Sequence, residues 1–232
     1  GFSQRQQDSS YVRRVLDLKA ELMLSEELSV AGLFNSESVI PSASDSAFSR
    51  VYQSSIISVG AEIQYDTRDD AYSPTSGARY RTDYQYGRKR ISKIPSNLVD
   101  QVPEKSTVQK LTLDLDFYLS TFTRQVVAVG LHGRELQSGR PEEGEMFRLG
   151  GSRSLRGFRE NQFIGSRLAW SNTEYRFLLA RRSFFYGFID AGYYFRPADE
   201  ARTIPIPKSE ALNYGYGIGI QLETGLGVLG VS

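Results

Sequence analysis

The sequence alternates. From Lys110 to Ser120, Leu111, Leu113, Leu115, Phe117 and Leu119 hold one parity, and Thr112, Asp114, Asp116, Tyr118 and Ser120 hold the other. Successive side chains of a β-strand point to opposite faces, so this spacing makes one apolar and one polar face, whereas a helix would scatter both sets around its circumference. The split recurs at Ile57, Val59, Ala61, Ile63 and Tyr65 against Ser58, Gly60, Glu62, Gln64 and Asp66. It recurs again at Tyr80, Thr82, Tyr84 and Tyr86 against Arg79, Arg81, Asp83 and Gln85. Ten segments read as strands: 10–24, 28–35, 54–66, 77–88, 109–120, 124–135, 165–180, 183–195, 213–223 and 226 onward. The stretch 10–24 also fits an amphipathic helix; the strand is preferred because Val12, Leu16, Leu18, Ala20 and Leu22 share a parity that only Arg14 breaks.

The links between these segments alternate in length. Short ones fall at 25–27, 121–123, 181–182 and 224–225, with 66–77 intermediate, and long ones at 36–53, 89–108, 136–164 and 196–212. In an up-and-down meander every second link lies on the same rim, so one rim carries tight turns and the other large loops. Outer-membrane barrels have this asymmetry, with short periplasmic turns and long extracellular loops. Strands of 10 to 15 residues, and Tyr and Phe crowding toward strand ends, also favour a barrel whose apolar face meets lipid over a soluble sandwich. The fold class expected is therefore all-β, an antiparallel up-and-down transmembrane β-barrel.

Composition removes other classes. The 28 basic and 27 acidic side chains leave no field to gather nucleic acid. Cysteine is absent, which excludes disulfides and thiolate metal clusters, and the single histidine, His132, excludes a multi-histidine metal site. No run of about 18 apolar residues could form a transmembrane helix. Gly150 to Gly157 lacks the Gly-Lys-Ser/Thr of a phosphate loop, and Asp66, Asp69 and Asp70 lack calcium-loop spacing. No metal, cofactor or catalytic residue is expected. The first residue is Gly1 and the last residues, GLGVLGVS, stop inside an alternation, so residues 1–232 read as a fragment cut at both ends or as the ordered part of something longer.

The segment MFRLGGSRSLRGFRENQFIGSRLAWSNTEYRFLL, Met146 to Leu179, resembles the most recognisable stretch of the BamA/TamA-type superfamily of outer-membrane barrels. Leu155-Arg156-Gly157-Phe158 is similar to that family's loop signature, and Phe147 to Gly151, with Gly150 and Gly151, to the Phe-x-x-Gly-Gly before it. Gly165 to Glu174 looks like the next strand, and FIDAG, Phe188 to Gly192, like the F-x-D-x-G of the one after. DTRDDAYSPTSGARYRTDYQYG, Asp66 to Gly87, resembles the family's turn and aromatic strand. The resemblance covers residue 54 to the end and implies that residues 1–232 are the C-terminal part, truncated at both ends, of a sixteen-stranded transmembrane barrel, about ten of its strands, with the extracellular loop 135–164 folded back into the lumen.

The resemblance also places Arg156 against the lumen wall, and parity agrees with that placement. If Phe185, Ile189, Ala191, Tyr193 and Phe195 face lipid, Asp190 faces inward; if Thr173, Tyr175, Phe177 and Leu179 face outward, Glu174 and Arg176 face inward. Two carboxylates in one lumen repel or protonate unless a cation joins them, and the guanidinium fork of Arg156 can bond both. This structural role for Glu174 and Asp190 is preferred to glycoside chemistry. Gly157 is expected to let the loop approach the wall, and Gly192, Gly215, Gly217 and Gly219 to clear a surface for it. Arg153 and Arg159 are expected to meet solvent or lipopolysaccharide.

The resemblance implies a non-enzymatic protein of the outer membrane that assembles or inserts other outer-membrane proteins. Within the superfamily, alternatives are a two-partner-secretion or TamA-like polypeptide translocator and the barrel of a patatin-type phospholipase; a passive porin-like channel is the alternative of another class. The partners implied are outer-membrane lipid and lipopolysaccharide, unfolded outer-membrane or secreted polypeptides, and accessory lipoproteins, with no nucleic acid.

Overall fold

The computed structural model describes residues 2–8, 11–41, 53–92, 103–199, 205–225 and 227–232. Eleven strands form one sheet: β1 (Phe2–Asp8), β2 (Tyr11–Met23), β3 (Leu28–Pro41), β4 (Gln53–Asp66), β5 (Gly77–Ser92), β6 (Lys105–Phe122), β7 (Gln125–Ser138), β10 (Arg167–Ala180), β11 (Ser183–Arg196), β12 (Ser209–Thr224) and β13 (Gly227–Val231). Two short strands, β8 (Phe147–Leu149) and β9 (Phe163–Gly165), pair separately inside the link from β7 to β10. Sheet neighbours follow chain order, and every pair is antiparallel. The sheet is open, with β1 and β13 as its edges among the described residues.

The two faces divide polarity opposite to a water-soluble sheet. On β12, Tyr216 and Ile218 are each 84% exposed, while Glu37, Glu62, Lys89 and Asp190 on the other face are at most 2% exposed. The register carries the outward set from strand to strand: Leu16 lies beside Ser36, Phe34 beside Val59, Val59 beside Tyr86, and Tyr84 beside Leu111. In water an apolar surface of this extent would drive association, and buried charges would lack solvation. Against acyl chains the outward set is solvated and the charges turn toward a polar lumen. Strands such as β6, of 18 residues, have length to spare for a tilted crossing of the hydrocarbon layer.

Several boundaries differ from those expected. β3 continues to Pro41 rather than 35, β5 to Ser92 rather than 88, and β6 starts at Lys105 rather than 109. In these extensions the usual alternation breaks down, because Val39, Ile91 and Val108 are buried on the inward face while Ser36, Ser38 and Arg90 take the outward parity, although the ladders persist, as in Ser36 beside Ile57 and Arg90 beside Lys105. β1, in FSQRQQD, was not expected at all, because it has no apolar parity and is defined by its pairing to β2. The long links expected at 36–53, 89–108 and 196–212 contract, and their parts at 42–52, 93–102 and 200–204 lie outside the described residues.

Outward and inward positions on β6 provide a direct test. Leu113→Arg in mid-strand is expected to cost about 2–4 kcal/mol of folding free energy in a bilayer, and Thr112→Arg, facing the lumen, less than about 1 kcal/mol. Urea titrations into lipid vesicles read the difference; equal costs would contradict the assigned faces.

Candidate functional site

The link 139–166 folds back onto the inner wall. β8 and β9 form its stem, with Phe147 opposite Gly165 and Leu149 opposite Phe163. Gly150 and Gly151 start the turn that follows, where the Gly151 N–H donates to the Leu155 carbonyl at 3.1 Å. Leu155 and Leu149 are fully buried with Leu168 of β10, beneath Phe158, Phe163, Trp170 and Tyr194. This apolar foot packs the loop to the wall, and stacking of Phe163 on Tyr194 at 5.0 Å extends it.

The foot delivers Arg156 to two carboxylates. Its Nε and Nη2 donate to Asp190 Oδ2 and Oδ1 at 2.8 and 2.7 Å, its backbone N–H donates to Asp190 Oδ2 at 3.1 Å, and Nη1 donates to Glu174 Oε1 at 2.5 Å. Asp190 is completely buried and Arg156 is 6% exposed. Beneath the guanidinium lies the Phe188 ring, 3.9 Å from Cζ to the ring centre. Burial acts to lower the arginine pKa, yet the Asp190 and Glu174 carboxylates raise it on balance, so the side chain stays charged. Fork-to-carboxylate bonds of this kind fix position as well as energy.

The glycines divide by role. Gly157 has φ of 87°, a left-handed conformation that penalises any side chain, so geometry of the turn rather than closeness to the wall requires glycine there. Closeness matters at Gly215, where an added Cβ would collide with the Arg156 carbonyl oxygen. At Gly192 a Cβ would come within 2.9 Å of Leu155. At Gly217 and Gly219, expected to pack the loop, the nearest neighbours are instead rings of the adjoining strand. A Cβ at Gly217 would meet Phe188 at 2.9 Å, and one at Gly219 would strike Tyr186. The signal was in the register, since Phe188 lies directly beside Gly217 and Tyr186 beside Gly219, with all four facing inward.

Arg153 and Arg159 are exposed, and Arg153 lines a lumen cavity of about 250 Å³ together with His132, Glu174 and Arg176. His132 faces inward, with Nδ1 2.8 Å from Asp114 and its ring stacked on Trp170.

A second anchor, nearer the long-loop rim, was not foreseen. Lys89 is 1% exposed and lies 3.1 Å from Glu142 and 2.5 Å from Glu145 of the loop, and its ammonium donates to the Arg140 carbonyl at 3.2 Å. Met146 and Phe147 beside them pack on an inward apolar patch of Ile56, Val108 and Leu136. Arg140 pairs with Asp199 and Arg196 with Glu143, each at 2.9 Å, tying the loop to the top of β11. The strand expected from the sequence ends at residue 88 and leaves Lys89 to a loop, and nothing local shows that a distant acidic segment returns to it.

A family model described as the Omp85 superfamily domain matches residues 13–232. Among solved structures, BamA from Haemophilus ducreyi lacking POTRA domains 1-3 is similar at TM-score 0.51 and 12% identity, over 96% of this chain and 58% of that one. CdiB from Acinetobacter baumannii aligns at 13% identity and TM-score 0.42, over 95% and 46%. The chain thus spans little more than half the length of the first and less than half of the second. A search of curated proteins finds no match.

Two tests follow from the anchors. Gly215→Ala is expected to displace the Arg156 segment and make the loop 139–166 cleavable in limited proteolysis, whereas Gly187→Ala, outward and with no neighbour nearer than 3.9 Å, should leave it protected. For the second anchor, burial pushes Glu145 up to about 7 from its ordinary 4.5, against the pull of Lys89 and aided by Glu142. A folded-state value above the unfolded one means the group's contribution to stability is whole below pH 4.5 and lost as pH rises through about 7. Protease protection of residues 139–146 should therefore be greater at pH 5 than at pH 8, and Glu145→Gln should flatten that profile.

Proposed function

This chain belongs to the Omp85 superfamily, and on that premise we propose that it is the barrel of a non-enzymatic, BamA-like factor that inserts other β-barrels into the outer membrane. The observation that carries this reading is the lumen lock, in which Arg156 is buried on Asp190 and Glu174 with its loop packed across the wall. A passive porin-like channel needs an open aqueous path, and a loop anchored by four hydrogen bonds and an apolar foot works against one. A polypeptide translocated through the lumen would have to displace that loop, leaving the buried Asp190 without its cation and Glu174 with only Arg176, at a cost of several kcal/mol. A factor acting on substrates from its outer side keeps the lock shut.

The substrates on this reading are unfolded outer-membrane proteins delivered from the periplasm, with accessory lipoproteins as helpers. Lipid and lipopolysaccharide surround the outward apolar face. Depletion of the full-length protein in its own cells is expected to reduce many folded outer-membrane barrels at once, read as loss of their heat-modifiable bands. Loss of one secreted polypeptide with those bands unchanged would point to a translocator, and steady conductance in planar bilayers to a channel.

A further inference from the structure

The turn from β4 to β5, residues 67–76, does more than reverse the chain. Its tip is buried, with Ser73 only 3% exposed and Pro74 also buried. Aspartates give it a fixed shape: Asp69 accepts from the Thr75 and Ser76 N–H groups at 2.8 and 3.1 Å, and Asp70 from those of Tyr72 and Ser73 at 2.7 and 3.0 Å. On its near side the Ser120 hydroxyl donates to the Thr75 carbonyl at 2.9 Å.

Its far side reaches strands that are not its neighbours. The Pro74 carbonyl accepts from Arg176 Nη1 at 3.5 Å, and Asp70 Oδ2 from Arg181 and Arg182 at 3.5 and 3.4 Å. The Arg182 guanidinium also lies 5.3 Å from the centre of the Tyr72 ring. In the sheet, β6 and β7 separate β5 from β10. These contacts therefore run across the mouth of the lumen, from one part of the wall to another, rather than along the ladder.

Arg176 meets the lock at its other edge. Its Nε donates to Glu174 Oε2 at 2.8 Å, while Oε1 of the same carboxylate receives Arg156. The rings of Tyr118 and Phe184, 5.4 and 4.8 Å from its Cζ, hold the guanidinium in place. One carboxylate thus has its two oxygens claimed by two arginines, one attached to the loop above and one to the turn below. A carboxylate plane cannot turn toward one partner without leaving the other. We propose that Arg176 is a positioning residue that couples the short-turn plug to the lumen loop through Glu174, so that the two segments hold and release together. This rests on lumen geometry and not on the assembly reading, so either can fail while the other stands.

Residues 1–232 contain no cysteine, so a thiol engineered among them reports cleanly once any cysteine elsewhere in the full-length protein is replaced. In the folded full-length protein, the thiol placed by Ser73→Cys is expected to react slowly with a bulky maleimide. Arg176→Gln should speed that reaction at least tenfold and, in the same protein, expose the loop 139–166 to protease. Arg156→Ala should also speed it at least tenfold, although none of the hydrogen bonds of Arg156 goes to the turn. If Arg156→Ala does not fold, Gly215→Ala, which pushes out the same loop sterically, takes its place. Arg176→Lys keeps the charge but not the two-sided fork, so it should leave the thiol fast; full rescue by lysine would overturn the coupling in favour of simple charge balance. A loop made cleavable by Arg156→Ala or Gly215→Ala while the maleimide rate stays at its starting value would also overturn it, as would a fast reaction before any second substitution.

Discussion

A buried arginine between a buried and a half-buried carboxylate organises this molecule. Each charge alone would cost several kcal/mol to remove from water, and their mutual attraction offsets that cost only when geometry and hydrogen bonding are complete. Arg156 meets the condition by using its side chain and its own backbone N–H on Asp190 while it reaches Glu174. The loop and the strands β10 and β11 are thereby mutually dependent. Without the loop, the wall carries excess negative charge; without the lock, the loop keeps its apolar foot on Leu168 and its rim anchor on Lys89 but not the buried charge pairing that fixes Arg156.

That dependence makes sense only inside an inverted sheet. Burial of apolar surface drives ordinary folding, but here the strands present Leu, Ile and Tyr outward, and among the described residues the lumen side holds only small, separate apolar clusters. Its interior is held instead by ionic clusters: Arg13 on Glu37, Lys19 and Arg81 on Glu62, Lys89 on Glu142 and Glu145, and Arg156 on Asp190 and Glu174. Small apolar patches, such as Ile56, Val108 and Leu136 beneath Met146 and Phe147, sit where the loop enters. Ion pairs specify geometry more sharply than apolar contact does, which suits a lumen that must keep one loop conformation.

How much of this was legible in the sequence depends on the range of each interaction. Period-two patterning exposed β6 because apolar and polar residues there separate cleanly, and it missed β1 because FSQRQQD is polar on both faces. The facing of Glu174, Arg176 and Asp190 was readable by parity, but their meeting with Arg156 was supplied by resemblance, since no local pattern tells a loop where to land. Gly217 and Gly219 were given to the loop because glycine signals closeness without saying to what; the nearer claimants were the rings of Phe188 and Tyr186 on the adjoining strand. Lys89 stayed hidden for the reason that Arg156 would have without its family signature: its partners lie more than fifty residues away in the chain.

The glycine track of β12 carries one more implication. Because Gly217 and Gly219 have no inward side chain, the lumen surface at that strand is made of rings leaning over from β11, so two adjacent strands share a single layer of packing. Volume there is a joint property of the pair: a larger residue at 217 fits only with a smaller one at 188, and likewise at 219 with 186. Among relatives, drift at these positions should be compensated across the ladder, and a sequence change judged one site at a time would look forbidden where the matched exchange is tolerated.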